Sequence, residues 1–123
     1  MRFSWAGGTL NAGDAGVELW VYREDGKPIA VIEPDARAPA PGKALRAEGL
    51  WLSITEESAG HWSVGLEAFG LELDDPDDVF GVPIPVGLDL EWEDDPDPSS
   101  CRVTGEVLVG DAAYAVDGRG SRA

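Results

Sequence analysis

The only histidine, His61, and the only cysteine, Cys101, are the first places to look for proton transfer or nucleophilic chemistry. An imidazole can serve as a general base near neutral pH. It needs a group that orients it, and none is evident around His61 in the chain. The plain alternative is an imidazole at a strand end or on the surface. A single histidine cannot build a multi-histidine metal site. Cys101 follows Asp94, Asp95 and Asp97, and nearby carboxylates raise a thiol pKa and suppress the reactive thiolate. One cysteine also excludes an internal disulfide and a cysteine-rich zinc knuckle. No serine stands in a nucleophile-elbow context, and Gly118-Arg119-Gly120 is too short for a phosphate-cradling loop. The cluster Asp74-Asp75-Pro76-Asp77-Asp78 offers hard oxygen ligands. It lacks the glycine and terminal glutamate of an EF-hand loop, so no metal and no cofactor are expected, and no catalytic residue can be named.

The tryptophans carry more information. Trp62 and Trp92 fall in phase with their aliphatic neighbours and are expected in the core. Trp20 and Tyr22 face opposite to Val17, Leu19 and Val21, and Trp51 faces opposite to Leu50, Leu52 and Ile54. Strands that are apolar on both faces need cover on both. A second chain or a loop would supply it, and an aromatic-lined pocket for an apolar ligand is the alternative. The two combine if a homodimer encloses the pocket.

Charge narrows the partners. The 123 residues carry 24 acids and 9 Lys or Arg, for a formal net charge of −15. A nucleic-acid binder needs a basic stripe to displace counterions, and a polybasic membrane anchor fails on the same ground. Between Arg46 and Arg102 there is no Lys or Arg at all, while fifteen acids fall in that interval and the rest of the chain is neutral. The plain reading is a solvated acidic surface. Val79 to Leu88, the best apolar stretch, is short and contains Pro83 and Pro85, so no membrane insertion is expected. The N-terminus lacks the apolar stretch of a secretory signal. With the lone cysteine, this favours the cytoplasm.

The elements that must position these residues are strands, because apolar residues alternate and helical periodicity is nearly absent. Val17–Arg23 and Pro28–Ile32 flank Asp25-Gly26, a type I′ hairpin signal. Leu50–Thr55 and His61–Ala68 form a second hairpin through the turn Glu56–Gly60. Gly70 predicts a bulge or bend before Leu71–Leu73. Val86–Glu93 alternates most cleanly, with Val86, Leu88, Leu90 and Trp92 on one side. Arg102–Val109 and Ala112–Val116 are joined by Gly110-Asp111, and the short Phe3–Trp5 segment is expected as an added edge. The count is about eight strands in one domain spanning 1–123. Short turns force antiparallel pairing, so the expected fold class is all-β, an up-and-down meander closing into a barrel or half-barrel. An immunoglobulin-type sandwich would be expected to carry a cysteine pair that is missing here.

Three stretches then look familiar. His61–Gly70, Val82–Trp92 and Gly105–Asp111 resemble the lipocalin-like family that includes carotenoid hydratase (hydroxyneurosporene synthase). Asp117-Gly118-Arg119-Gly120-Ser121-Arg122 resembles the start of that family's D-G-x-G-x-R-D-H-S-W-G signature, matching at Asp117, Gly118, Gly120 and Arg122. The chain ends at Ala123, where the remainder would begin, so the polar groups of that remainder have no counterpart here. Family members are longer and pack two barrels together. The resemblance implies a lipocalin-like barrel, as a one-barrel or truncated relative, and an apolar ligand of isoprenoid or polyketide type. Trp20, Tyr22, Trp51, Trp62, Glu67, Trp92 and Asp117 are the expected ligand-binding residues. The alternatives are a cofactor-free hydratase, cyclase or isomerase with Glu67 or Asp117 as proton donors, and a structural interaction module. An inward carboxyl beside tryptophan would favour the enzyme, and a filled, dry interior would favour the module.

Overall fold

The computed structural model describes residues 1–24, 26–40, 43–47, 49–74 and 81–123. Its described elements are all strands: β1 (Arg2–Trp5), β2 (Gly8–Gly13), β3 (Gly16–Val21), β4 (Ile29–Glu33), β5 (Ala44–Ala47), β6 (Leu50–Ser58), β7 (His61–Glu72), β8 (Val82–Asp94), β9 (Cys101–Val109) and β10 (Ala112–Arg122). They form one antiparallel sheet in the order β4-β3-β2-β1-β10-β9-β8-β7-β6-β5, and a further pairing of β4 with β7 closes a ring of eight strands. The fold class is the expected barrel-like meander.

Two strands escaped the sequence. Gly8–Gly13 is short and begins and ends in glycine, which reads as turn composition. Ala44–Ala47 lacks β-branched and aromatic residues. Phe3–Trp5 is not an edge. Phe3 pairs Leu10 on one side and Arg122 on the other, so β1 sits in mid-sheet. Gly70 makes no bulge. The strand runs straight through it to Glu72, and the one irregularity lies between Glu56 and Ser58. Gly70 instead permits close approach, since a Cβ there would stand 3.0 Å from the Ala30 carbonyl oxygen. That is where β7 passes from pairing β6 to pairing β4.

The first hairpin pairs as expected, Val21 opposite Ile29, but not through a two-residue turn. The connection runs over 22–28, and Asp25 lies outside the described residues. Arg23 occupies it: one guanidinium nitrogen donates to the Lys27 carbonyl at 3.0 Å and to Glu72 at 2.9 Å. A two-residue turn has no room for that fold-back. The other short turns hold, with Gly60 at φ 78° and Gly110 at φ 58°, both in the left-handed region that glycine enters without penalty.

Side chains fill the interior. Leu10, Leu19, Leu52, Leu66, Leu90 and Val103 are among the fully buried residues, and no buried residue among those described is polar or charged. Trp92 is wholly buried. Its ring lies 4.9 Å from Phe3 and 6.1 Å from Trp5 between centroids, within the range of favourable tilted aromatic pairs. Its Nε1 donates to the Ser4 carbonyl at 2.9 Å. One indole therefore ties β8 to β1 and satisfies its own polar atom.

A polar clasp closes the far end. Arg122 at the end of β10 donates to both oxygens of Asp94 at the end of β8, at 2.9 and 2.6 Å. Its guanidinium stands 5.1 Å from the centre of Trp62, and the bidentate geometry suits arginine alone. Hydrogen bonding from Arg122 holds the Asp94 carboxyl below its ordinary value, against a smaller opposing effect of burial. Cys101 is buried beside the clasp. Burial first, and then Asp94, push its thiol pKa up, so it is an inert packing residue.

Trp92→Ala should destabilise the fold by about 3–5 kcal/mol, read as a lowered urea midpoint at unchanged slope. For Asp94, a depressed folded-state pKa means stabilisation that is complete above the unfolded value of 3.8. It is lost as pH falls through the folded value. Asp94→Asn should therefore be less stable than wild type at neutral pH, and the gap in melting temperature should close in acid. A gap that stays constant from about pH 6 to about pH 2 would refute the clasp.

Candidate functional site

The seven aromatic and acidic residues named from the sequence do not converge. Trp92 is a core residue, and Trp62 is half-buried against the same core. Trp20 and Tyr22 lie on the outer face of the sheet, stacked at 6.3 Å and 10° between planes, and Trp20 Nε1 donates to Glu18 at 2.6 Å. Trp51 and Glu67 are cross-strand partners, also on the outer face. Asp117 is exposed and paired to Arg102 at 3.2 Å. Only two pairs of them share a described hollow, Tyr22 with Asp117 in a cleft beside β10 and Trp51 with Glu67 on the outer face.

That cleft follows from a mismatch of strand lengths. β1 ends at Trp5 opposite Gly120, whereas β10 begins at Ala112. β10 thus runs eight residues, 112–119, with no partner on its β1 side. Arg2 and Ala123 exchange backbone hydrogen bonds at 2.8 Å. Alternation along an antiparallel strand then directs the N–H and C=O of Ala113, Ala115, Asp117 and Arg119 to the open side. Beside this edge the β1–β2 turn and the residues after β3 leave a hollow of about 580 Å³, with Trp5, Val21 and Val107 among its walls.

Glycine and arginine shape the hollow. Gly118 lines it, and a Cβ built there would meet nothing within 4 Å. Arg23 lines it from the other side with a side chain only 13% exposed. Burial weakens the Arg23 charge, but the Tyr114 hydroxyl and the Glu72 carboxylate outweigh it and raise its pKa above the ordinary arginine value. Its Nε is buried with no hydrogen-bond partner among the described residues. The site therefore combines apolar walls, an arginine, a phenol and an unpaired strand edge. It contains no nucleophile with a base to activate it.

His61 does have partners, which the linear sequence concealed. Its Nε2 lies 3.2 Å from Glu91 and its Nδ1 3.6 Å from Glu93, both brought across from β8 by the register His61–Glu93. It lines neither this cleft nor the outer-face hollows around Trp51. Asp75, Asp77 and Asp78 of the acidic cluster lie outside the described residues.

Trp5, Arg23 and Tyr114 were missed because nothing in their local sequence marks them. Gly118 did carry a signal. It sits on the inward side of β10, in phase with Tyr114 and Val116, and a small residue at an inward position leaves room, whereas Gly120 admits the close approach of the Ser4 carbonyl on β1. Comparisons with protein-family models, curated proteins and solved structures found no match to this chain.

Proposed function

We propose that the protein binds a small, mainly apolar molecule in the cleft beside the free edge of β10, without transforming it. The observation that carries this reading is the unfilled space at Gly118 in a cleft walled by Trp5, Val21, Val107 and Tyr114. Its volume, about 580 Å³, falls within the usual range for small-molecule sites. The interior is no competitor, because its side chains are packed together and no buried residue among those described is polar or charged. Glu67 and Asp117, the acids with a conceivable donor role, are exposed, outside the enclosed apolar setting in which a carboxyl serves as a general acid.

The ligand has an apolar body and one polar end. Its body lies on the Trp5 and Val107 walls, and its polar end meets Tyr114, Arg23 or the open backbone groups of β10. The likeness of three segments to carotenoid hydratase-related proteins makes an isoprenoid the first probe. β-Ionone titrated into the protein should bind saturably, with a Kd on the order of 10 μM, or about −7 kcal/mol. Gly118→Phe should fill the cleft from a position where a Cβ meets no neighbour within 4 Å. It should weaken binding at least tenfold while leaving the melting temperature unchanged or raised. Equal binding by wild type and Gly118→Phe would exclude this cleft, and no saturable binding to wild type would exclude the ligand class.

A further inference from the structure

The outer face of β6–β9 carries a second groove, independent of the cleft beside β10. Two hollows of about 530 and 450 Å³ share Trp51, Glu67, Gly87 and Leu108. Outward glycines make the floor: Gly65 and Gly87 occupy adjacent strands where neighbouring positions carry large side chains. The walls lie down over that floor. A Cβ at Gly65 would stand 3.0 Å from the Trp51 indole, and one at Gly87 would stand 3.4 Å from Leu108. Phe69 and Pro85 face each other across the register at one end, and Phe69 is 67% exposed. Such a continuous apolar strip is uncommon on a surface without a partner.

Charge selects the partner. Glu67, Asp89 and Glu106 line the groove, and none makes an ion pair among the described residues. The base on its border among the described residues is Arg46, the cross-strand partner of Trp51 on β5, and it lines only the hollow that holds Phe69. The carboxylates at Asp89 and Glu106 flank the opposite end, beside Trp51. An indole face among carboxylates attracts a cation, above all a guanidinium, through ring quadrupole and charge together. A second copy of this chain would bring another net charge of −15 and meet repulsion. We infer that this groove docks a basic, apolar segment of a partner protein, its arginine or lysine over Trp51 between Glu67, Asp89 and Glu106. Its apolar residues lie on Leu108, Phe69 and Pro85. The groove crosses β6 to β9 and is long enough for an extended segment rather than a lone amine.

The probe is a short peptide alternating arginine with leucine, titrated by calorimetry at low salt against a control with glutamate for arginine. The arginine peptide should bind with one-to-one stoichiometry and weaken as salt rises. Asp89→Asn with Glu106→Gln should weaken it at least fivefold. Trp51→Ser, which leaves the charge unchanged, should do the same. Asp14→Asn with Asp35→Asn, an equal loss of charge remote from the groove, should change affinity less than twofold. Gly118→Phe, which closes the other cleft, should have no effect, so this inference and the proposed ligand site fail separately. Equal weakening by the two charge-neutralising pairs would mean attraction to the whole acidic molecule and would overturn the groove. So would unchanged binding by Trp51→Ser, or failure of the arginine peptide to bind. Sedimentation of the protein alone, showing a dimer abolished by Trp51→Ser, would assign the groove to a second copy and overturn the basic partner.

Discussion

Four residues, Arg2–Trp5, hold the ring together. β1 pairs β2 through Phe3–Leu10 and β10 through Phe3–Arg122, and from its outer end the Ser4 carbonyl accepts the indole proton of Trp92. Without β1, strands β2 to β4 would be joined to the rest of the sheet by strand pairing only at the two residue pairs between β4 and β7. The shortness of β1 is as consequential as its presence. Because it stops at Trp5, the first eight residues of β10 have no neighbour on that side, and the cleft beside them exists for that reason.

The distribution of charge gives the same sheet a second character. Every Lys and Arg lies outside the interval between Arg46 and Arg102, which supplies β6, β7 and β8. The ion pairs Arg122–Asp94, Arg119–Asp95 and Arg102–Asp117 gather at the β8–β9 turn and along β9 and β10. They leave the acids around Trp51 without partners among the described residues. Screening by salt acts on such exposed charges far more than on the partly buried Asp94–Arg122 clasp. The acidic face and the clasp are therefore separable in solution.

The meander was legible because period-two alternation is a local property. Val86, Leu88, Leu90 and Trp92 are buried and Asp89, Glu91 and Glu93 exposed, as the residues alone require. The outward placement of Trp20, Tyr22 and Trp51 was legible on the same ground. What was not legible depends on register and strand length. His61 meets Glu91 and Glu93 only because β7 and β8 pair as they do. Arg23 turns inward only because the first hairpin is longer than Asp25-Gly26 suggests. The cleft is a relation between the ends of β1 and β10, 107 residues apart by number (5 and 112), and no local pattern encodes it.

The central claim is that this barrel is filled and offers its binding surface at an unpaired strand edge rather than inside. Proton–nitrogen correlation spectra of the five tryptophan indoles, recorded during a β-ionone titration, address it directly. The account predicts that the Trp5 indole resonance moves saturably while that of Trp92, buried and bonded to Ser4, stays fixed. A Trp92 resonance that shifts with the ligand while Trp5 remains still would place the ligand within the barrel and contradict the account.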